Sequence, residues 1–340
     1  MVRISVVMPT YNTAIDVLRE AVDSILKQTF QDFEFIIIDD GSTNGSIDYL
    51  QNLTDKRIKL IRNPYNLGIT KSLNIGFQAA QGKYIARMDS DDIALPTRLE
   101  KQFVFMEKHP DMIMCGTNVE CFGAVSRKSK RRIDDMERYR INALFVHPGP
   151  SHPTAFFNHE LLLRYHLAYD ERIVYAQDYH LWVEISRHGQ IGFLKEVLLR
   201  HRVSKDQISV KHRSEQIKGD QITQGELLQE LLGFVTQEEK DFHYHYSTGY
   251  YNDTKINNEM LKWFSRLIEA NDCRGVYDKK KFRRYVYDVI IKRNIYHSFE
   301  PGMSNAAKIA MFFRYMPFPL ALKASLGMCA RTAIHRLRVS

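Results

Sequence analysis

The first hundred residues alternate between short apolar runs and segments in which apolar residues recur at helical spacing. The runs ISVVM, FEFIIID, RIKLI and KYIARM begin at residues 4, 33, 57 and 83 and predict four strands. Apolar residues recur every three or four positions between Ile15 and Leu26, which predicts a helix with one buried face. Further helices are predicted over residues 72–80, closed by Gly82 as a C-cap, and over residues 96–108. This alternation predicts an α/β fold, with a mostly parallel sheet flanked by helices.

The pattern becomes irregular after residue 110. Residues 112–123 suggest further strands, and residues 175–189 predict a helix with Leu181, Trp182 and Ile185 facing inward. From about residue 215 the chain is rich in aromatic residues and is expected to be mainly helical. We therefore divide the chain into residues 1–108, 109–215 and 216–340.

A polar cluster follows each of three predicted strands. These clusters are PTYN at residues 9–12, DDGSTNGS at 39–46 and DSDD at 89–92. In an open parallel sheet, ligands bind in the crevice outside the carboxyl ends of the strands. We therefore expect the three clusters to lie along one edge of the sheet.

The DSDD cluster places three carboxylates, Asp89, Asp91 and Asp92, within four residues. Like charges so close repel each other, and a divalent cation would relieve the repulsion. Mg²⁺ prefers oxygen ligands and usually takes one or two protein carboxylates together with substrate phosphates. Alternatively, Asp92 could be the N-cap of the following helix. That alternative leaves Asp89 and Asp91 unexplained.

The DDGSTNGS segment has two interpretations. Clusters of Asp, Gly, Ser and Asn are common in ordinary turns. A carboxylate here could instead accept an N–H group of a nucleotide base, with Tyr11 stacking on that base. The chain contains neither GxxxxGK[ST] nor GxGxxG, so no glycine-rich phosphate loop is expected. A diphosphate would then be held by a metal ion and by basic side chains, for which Lys71 and Arg87 are candidates.

Composition narrows the possibilities. The chain has 340 residues, 44% hydrophobic and 26% charged, as in ordinary globular proteins. It has no apolar run of eighteen residues, so no transmembrane helix is expected, and the apolar N-terminus fits a strand better than a signal peptide. Its four cysteines are scattered, which argues against a zinc site or a disulfide framework and fits a reducing cytoplasm.

The net charge of +8 is concentrated near the C-terminus. Residues 273–340 contain fourteen Lys or Arg and only three Asp or Glu, and residues 304–338 contain no acidic residue. A basic segment that also carries Phe, Met and Leu can lie in a membrane interface. It could instead pack on the rest of the chain or on a second copy. A nucleic-acid-binding function fits poorly, because the remaining residues are nearly neutral overall.

Five segments, taken in order, resemble the family 2 glycosyltransferases with the GT-A fold: SVVMPTYN, IIIDDGSTNGS, NLGITKSLNIGF, GKYIARMDSDDIALPTRLEKQ and AQDYHLW. The match runs from about residue 3 to residue 215 and is most similar to bacterial lipooligosaccharide β-1,3-N-acetylglucosaminyltransferases and to capsule or O-antigen enzymes. The resemblance implies a Rossmann-like GT-A fold with a nucleotide-sugar-binding half (1–108), an acceptor-binding half (109–215) and a helical C-terminal region.

The implied reaction is an inverting transfer of a sugar of the GlcNAc, Glc or Gal class from a UDP-sugar, with Mn²⁺ or Mg²⁺ as cofactor. The acceptor would be a glycan or a lipid-linked glycan of a bacterial surface polysaccharide. The enzyme would be cytoplasmic and attached to the inner face of the membrane through its basic tail, and a homo-oligomer is a further candidate assembly. A nucleotidyltransferase and a non-catalytic nucleotide-sugar-binding protein are the alternatives.

The resemblance also implies roles for individual residues. Asp178 would be the catalytic base, although an Asp in the first turn of a helix is also favoured by the helix dipole. Asp91 would bind the metal ion, and Asp40 would accept the uracil N3–H. The nucleotide-binding residues would be Pro9, Tyr11, Asp39, Asp40, Asn66, Lys71, Arg87 and Asp89. The acceptor-binding residues would be His152, Gln177 and Trp182.

Two positions depart from the family pattern. Gln177 stands where the family often has Glu. Ser204 stands where many relatives have a His near the diphosphate. Either His201 or Lys205 would compensate for it, or the affinity for the donor would be weaker.

Overall fold

A computed structural model describes residues 2–204, 212–248, 255–326 and 328. The chain divides into two compact units. The first comprises residues 1–136 and 148–223, and the second comprises residues 137–147 and 224–340. The assignment of nucleotide and acceptor binding to separate halves of residues 1–215 stays a prediction.

The first unit contains a nine-stranded sheet with the strand order β3-β2-β1-β4-β8-β6-β9-β5, and β7 pairs with β6. The strands are β1 (Ile4–Thr10), β2 (Phe33–Asp39), β3 (Ile58–Arg62), β4 (Tyr84–Arg87), β5 (Ile93–Ala94), β6 (Met112–Gly123), β7 (Arg127–Lys128), β8 (Phe156–Asn158) and β9 (Gln190–Val203). Strands β3, β2, β1 and β4 run parallel to one another, and β8 is antiparallel to both β4 and β6. Together with the helices below, this confirms the predicted α/β, GT-A-like fold.

The helices before residue 190 are α1 (Ile15–Leu26), α2 (Ser46–Gln51), α3 (Ile69–Ala79), α4 (Arg98–Glu107), α5 (Met136–Ala143), α6 (His159–Arg164) and α7 (Gln177–His188). A 3₁₀ turn at His152–Thr154 precedes β8. The buried face of α1 consists of Leu18, Ala21, Val22 and Ile25, close to the predicted face. All seven residues of β1 and of β2 are buried, as expected for parallel strands covered on both faces.

Two local predictions were wrong. Helix α3 begins at Ile69, three residues before the predicted start, and its C-cap is Ala80 rather than Gly82. Gly82 instead lies against β1, where an added Cβ would be 2.5 Å from the backbone nitrogen of Ser5. The glycine is therefore explained by close packing of two backbones and not by a helix end.

The second unit is helical, which confirms the predicted C-terminal region. Its helices are α8 (Arg213–Leu232, which begins in the first unit), α9 (Gln237–Ser247), α10 (Asn258–Arg274), α11 (Lys279–Tyr285), α12 (Lys292–His297) and α13 (Asn305–Tyr315), with a π-helical segment at Val286–Ile291. Aromatic rings of Phe145, Phe264, Phe282 and Tyr285 form much of its core. Within the described residues, no helix combines the length and the apolar character needed to cross a membrane.

Strand register brings the predicted polar clusters to one edge. Thr10, Asp39 and Arg62, the last residues of β1, β2 and β3, lie side by side in one row. Strand β4 ends nearby, since its last residue Arg87 pairs with Val7. The segments PTYN, DDGSTNGS and DSDD therefore leave the sheet at the same edge.

Candidate active site

Hydrogen bonds join the three polar loops directly. The backbone N–H of Asn12 donates to Ser42 Oγ at 2.9 Å, and the side-chain oxygen of Asn12 accepts from the Thr43 backbone at 2.8 Å. The hydroxyl groups of Thr13 and Ser90 lie 2.8 Å apart. The expectation that the clusters share one edge of the sheet is therefore confirmed.

Asp40 anchors the loop that follows β3. It is buried, and its Oδ1 accepts from the Asn63 side chain at 2.7 Å and from the Leu67 N–H at 2.9 Å. Its Oδ2 accepts from the Gly68 N–H, also at 2.9 Å. Asn66 lies on this anchored loop, exposed to solvent. Both oxygens of Asp40 are therefore engaged in fixing the protein's own backbone.

Asp39 has a different environment. Its side chain is completely buried, and Oδ2 accepts from the Ser42 N–H at 3.3 Å and lies 3.7 Å from Arg62 Nε. Among the described residues, Oδ1 has no hydrogen-bond partner. A buried carboxylate oxygen without a partner is unfavourable, so it marks a position where a donor from a ligand would be stabilised.

The other predicted nucleotide-binding residues differ in exposure. Pro9 is buried within β1, whereas Tyr11, just beyond the end of β1, is 49% exposed. Lys71 is exposed on the first turn of α3. The sheet edge thus presents an aromatic ring and a lysine to solvent above the buried carboxylates.

The acidic loop after β4 is compact. Oxygen atoms of Asp89, Asp91 and Asp92 all lie within 4.8 Å of one another. Burial, followed by the negative charges of Asp89 and Asp92, raises the pKa of Asp91 to about 7. A cluster of three carboxylates fits a divalent cation, because the positive charge of the ion offsets their mutual repulsion. Within the described residues, Asp89, Asp91 and Asp92 form a group that could hold such an ion.

The interpretation of Asp92 as a helix N-cap is wrong. Helix α4 begins only at Arg98, after Thr97 at the N-cap position. Asp92 is completely buried and accepts from His201 Nδ1 at 3.0 Å and from the Arg202 N–H at 2.8 Å. It therefore connects the acidic loop to the end of β9.

Strand β9 holds the acidic loop from the other side. Arg202 Nε donates to the carbonyl oxygen of Asp91 at 2.8 Å. Burial opposes protonation of His201, but the hydrogen bond to Asp92 and its charge outweigh burial and raise the pKa of His201. His201, one of the two residues expected to compensate for Ser204, is thus bound to Asp92. The other, Lys205, lies outside the described residues.

Two buried arginines lie behind the acidic loop. Arg87 is 1% exposed and forms an ion pair with Asp89. Arg98 is completely buried and donates to the carbonyl oxygen of Arg87 at 2.6 Å and to Gln102 Oε1 at 3.0 Å. Burial lowers the pKa of Arg98 to about 10. Sequence reasoning missed Arg98, although its place in PTRLEKQ just after the acidic segment was a usable signal.

Asp178 lies in the first turn of α7 and is half-buried. Ala176, which precedes α7, has a left-handed backbone with φ of 64°, and Gln177 is buried. An Asp in the first turn fits both the helix-dipole interpretation and a catalytic one.

Tyr169, which sequence reasoning missed, connects the two sides of the site. Its hydroxyl lies 2.8 Å from His152 Nε2. Burial raises the pKa of Tyr169, Arg87 opposes this rise, and the charges of Asp178 and Asp89 add to it. The negative charges of Asp178 and Asp89 therefore both act on one buried phenol. No motif marks Tyr169 in the sequence.

Trp182, a predicted acceptor-binding residue, is completely buried. Its ring centre lies 5.9 Å from that of His152, edge to face, and 5.7 Å from that of Phe157. In this arrangement the indole supports the half-buried His152 from below.

Comparison with known proteins identifies relatives of this arrangement. A family model described as "Glycosyl transferase family 2" matches residues 5–165. A protein of Haemophilus influenzae named as an uncharacterized glycosyltransferase is 34% identical over 229 residues, covering 63% of this chain and 69% of that protein. The UDP-Glc:alpha-D-GlcNAc-diphosphoundecaprenol beta-1,3-glucosyltransferase WfgD of Escherichia coli is 29% identical, covering 61% of this chain and 79% of that protein.

A solved structure supports the fold. The crystal structure of S. aureus TarS 1–349 in complex with UDP-GlcNAc matches with a TM-score of 0.58 and 17% identity, covering 87% of this chain and 89% of that one.

Proposed function

The chain belongs to glycosyl transferase family 2, and from this premise we propose an inverting, metal-dependent transfer of a sugar from a UDP-sugar to a glycan or lipid-linked acceptor. The sugar would be of the GlcNAc, Glc or Gal class. TarS and WfgD support this choice of donor, because TarS was solved in complex with UDP-GlcNAc and the name of WfgD includes UDP-Glc. WfgD, a glucosyltransferase acting on a diphosphoundecaprenol-linked sugar, also supports a role in bacterial polysaccharide synthesis.

The acidic loop is the observation that carries the proposal. Its three carboxylates lie within 4.8 Å of one another at the sheet edge, and burial with mutual repulsion raises the pKa of Asp91 to about 7. We assign Asp91 and Asp89 as the residues that would hold Mn²⁺ or Mg²⁺. The ion would supply positive charge to the departing diphosphate. Asp92 is already engaged by His201 and Arg202, so it holds the loop in shape.

Asp178 is the proposed catalytic base. An inverting transfer needs a carboxylate that takes the proton of the acceptor hydroxyl as its oxygen attacks the sugar. Asp178 is half-buried at the start of α7, so it retains access to a substrate. We propose that His152, with Trp182 beneath it, and Gln177 shape the acceptor side.

For the nucleotide we propose a revised assignment. Asp40 already accepts three hydrogen bonds from its own loop, whereas Asp39 Oδ1 has no partner among the described residues. Asp39 is therefore the better acceptor for a base N–H, with Tyr11 stacking on the base. Asn66 and Lys71 would contact the ribose and diphosphate from the loop and from α3. Arg87, which is buried, would act by holding Asp89.

The test is a panel of UDP-sugars with a diphosphoundecaprenol-type acceptor, assayed for UDP release with Mn²⁺, with Mg²⁺ and with EDTA. We expect one sugar to be transferred with either cation and no transfer in EDTA. Full activity in EDTA would contradict the metal assignment. A non-catalytic binder would bind UDP without releasing it from any sugar, and a nucleotidyltransferase would release pyrophosphate from UTP and a sugar phosphate.

We further propose that the basic tail attaches the enzyme to the inner face of the membrane. Residues 318–326 are helical, and the two sides of this helix differ in exposure. Ala321, Ala324 and Ser325 are buried, whereas Phe318, Leu322 and Leu326 are 67%, 43% and 63% exposed. Because one face packs inward while the other stays apolar, the interpretations of the tail as a packed helix and as a membrane-binding helix are compatible.

Charge favours an anionic lipid surface as the occupant of that exposed face, since residues 304–338 carry Lys and Arg but no acid. Replacing Phe318, Leu322 and Leu326 together by Ser should abolish sedimentation with vesicles that contain an anionic lipid. The matched control is Phe234→Ser, which changes a 72% exposed aromatic residue outside the tail. Retained sedimentation, or concentration-dependent dimerisation through the same face, would contradict membrane binding.

A further inference from the structure

Two exposed aromatic side chains lie at the edge formed by β1, β2 and β3. Tyr11 is 49% exposed and Tyr65 is 66% exposed, more than any other aromatic residue described in the first unit. An isolated exposed tyrosine needs no explanation. Here, however, the two belong to loops on either side of one buried carboxylate.

The strand register defines this arrangement. Thr10, Asp39 and Arg62 end their strands in one row, with β2 in the middle. Tyr11 follows Thr10 directly, and Tyr65 comes three residues after Arg62. Asp39 therefore lies between the two tyrosine-bearing loops, with its Oδ1 buried and without a partner among the described residues.

The loop that carries Tyr65 is held in place. Asn63 precedes Tyr65 and donates to Asp40, and the N–H groups of Leu67 and Gly68 after it also donate to Asp40. The backbone of Tyr65 packs on Gly41, where an added Cβ would lie 2.7 Å from Tyr65 Cα. Tyr65 thus extends from a fixed backbone position beside the turn that follows Asp39.

We propose that Tyr65 is a nucleotide-binding residue that forms the second wall of a slot for the nucleotide base. Tyr11 forms the first wall, and Asp39 Oδ1 accepts the base N–H at the floor of the slot. The inference rests on the proposed function, because it requires a nucleotide donor. Stacking of a base on an aromatic side chain increases affinity by about 5- to 150-fold, independently of contacts to the phosphates.

The first experiment measures the dissociation constant of UDP by calorimetry in the presence of Mn²⁺. Tyr65→Ala should raise the Kd by about 5- to 150-fold, whereas Tyr65→Phe should stay within about threefold of the wild type because it keeps the ring. Phe234→Ala, which removes an exposed aromatic residue outside the site, is the matched control and should not change the Kd. Inorganic pyrophosphate with Mn²⁺ should bind wild type and Tyr65→Ala equally, since it has no base.

A second experiment gives a positive signal from the ring itself. Tyr65→Trp adds an exposed tryptophan to a chain whose own two, Trp182 and Trp263, are buried. UDP should quench its fluorescence, whereas pyrophosphate should not.

Three results would overturn the slot. The first is a Tyr65→Ala variant whose Kd for UDP stays within about twofold of the wild type. The second is an equal loss of affinity for UDP and for pyrophosphate, which would mean that Tyr65 acts only on the shape of the loop. The third is a wild-type protein that does not bind UDP, which would overturn the proposed donor as well. If the enzyme transfers sugar from a UDP-sugar but Tyr65→Ala does not change its affinity for UDP, only the proposed slot is refuted, and the proposed donor stands.

Discussion

The two units bury different kinds of polar side chain. In the first unit, the buried polar residues include the charged side chains Glu34, Asp39, Asp40, Arg87, Asp92, Arg98 and Asp220. In the second unit, those among the described residues are neutral, namely Gln224, His243, Ser247, Asn271, Asn294 and Ser325. Buried charge is unfavourable unless it is paired or serves a ligand. Its concentration in one unit therefore indicates where the chemistry lies.

Two histidines illustrate the difference. His201 in the first unit donates to the Asp92 carboxylate, which raises the pKa of its imidazole. His243 in the second unit accepts from Trp263 Nε1 at 3.1 Å and lies 2.8 Å from the carbonyl oxygen of Leu144. These partners assign His243 as neutral with its proton on Nε2, and burial lowers its pKa to about 4.

The helix starts differ in the same way. Side chains of Thr236, Asn257, Asp278 and Ser304 cap the N-termini of α9, α10, α11 and α13 in the second unit. In the second unit α12 has no such cap, and in the first unit α6 is capped by Asn158. None of α1, α3, α4 and α7, however, has a side-chain hydrogen bond at its described N-cap residue. The helices of the second unit are stabilised locally, whereas those at the sheet edge depend on packing against the sheet.

Replacing the proposed base should give the largest effect. Asp178→Asn should lower kcat by about 10²- to 10⁴-fold, because the acceptor hydroxyl loses its proton acceptor, with little change in Tm. The matched control in the second unit is Asp272→Asn, which removes an exposed ion pair with Arg283 and should leave kcat unchanged. Steady-state kinetics with the transferred sugar checks both. Normal transfer by Asp178→Asn would refute the base assignment.

Removing a carboxylate from the acidic loop should have opposite effects on activity and stability. Asp91→Asn should lower transfer by about 10²-fold or more, because the cation loses a ligand. In EDTA at pH 8 it should raise the free energy of unfolding by roughly 1 kcal/mol, because ionised Asp91 is unfavourable there.

Asp92→Asn is the matched control for this effect. It should instead destabilise the protein by roughly 1–3 kcal/mol, since Asp92 accepts hydrogen bonds from His201 and Arg202. Urea titrations of the metal-free variants measure both changes, and the same sign for both would show that repulsion at Asp91 is unimportant.

Acid should weaken the second unit through His243. Its folded pKa of about 4 lies below the unfolded value of about 6.5, so the unfolded chain binds the proton more tightly. His243 therefore does not make the free energy of unfolding depend on pH above about pH 6.5. As pH falls towards 4, it lowers that free energy by up to about 3 kcal/mol.

Trp263 reports this unfolding in a Trp182→Phe background, because the chain has only these two tryptophans. Adding His243→Gln to this background should reduce the pH dependence of the free energy of unfolding between pH 6.5 and 4. If the free energy of unfolding changes equally with pH in Trp182→Phe and in Trp182→Phe/His243→Gln, the buried imidazole is not the group that titrates.

Helix capping gives the smallest expected effect. Thr236→Ala removes a capping box, in which Thr236 Oγ1 accepts from the Glu239 N–H at 3.2 Å, and should cost about 1 kcal/mol. Thr97→Ala, at the N-cap position of α4 where no side-chain hydrogen bond forms, should cost less than about 0.5 kcal/mol. If urea unfolding shows the same loss of stability for Thr236→Ala and Thr97→Ala, the helices of the two units do not differ in their dependence on N-capping.

Much of the fold follows from local pattern. The four strands before residue 90 were predicted within a few residues of β1–β4, because buried parallel strands appear as continuous apolar runs between turns. Helix α2 was not predicted, since the DDGSTNGS segment is typical of a turn. Helix α3 begins before its predicted start, directly after Gly68, whose φ is 89°. Propensity describes element cores better than element ends.

The order of residues along the chain was sufficient to place the acidic segment, the DDGS segment and Tyr11 at one sheet edge. The alternation of strands and helices alone determines which ends of parallel strands meet, independently of the side-chain conformations.

The hydrogen-bond partners of each carboxylate could not be predicted from the sequence in the same way. Asp39 and Asp40 are neighbours of identical chemistry, yet one lacks a partner at Oδ1 and the other holds three N–H groups. The partners of Asp92 lie about 110 residues away on β9, and Tyr169 meets His152 across a separate turn. Hydrogen bonds and desolvation depend on distances of a few ångströms, and only the packing of segments remote in sequence sets those distances.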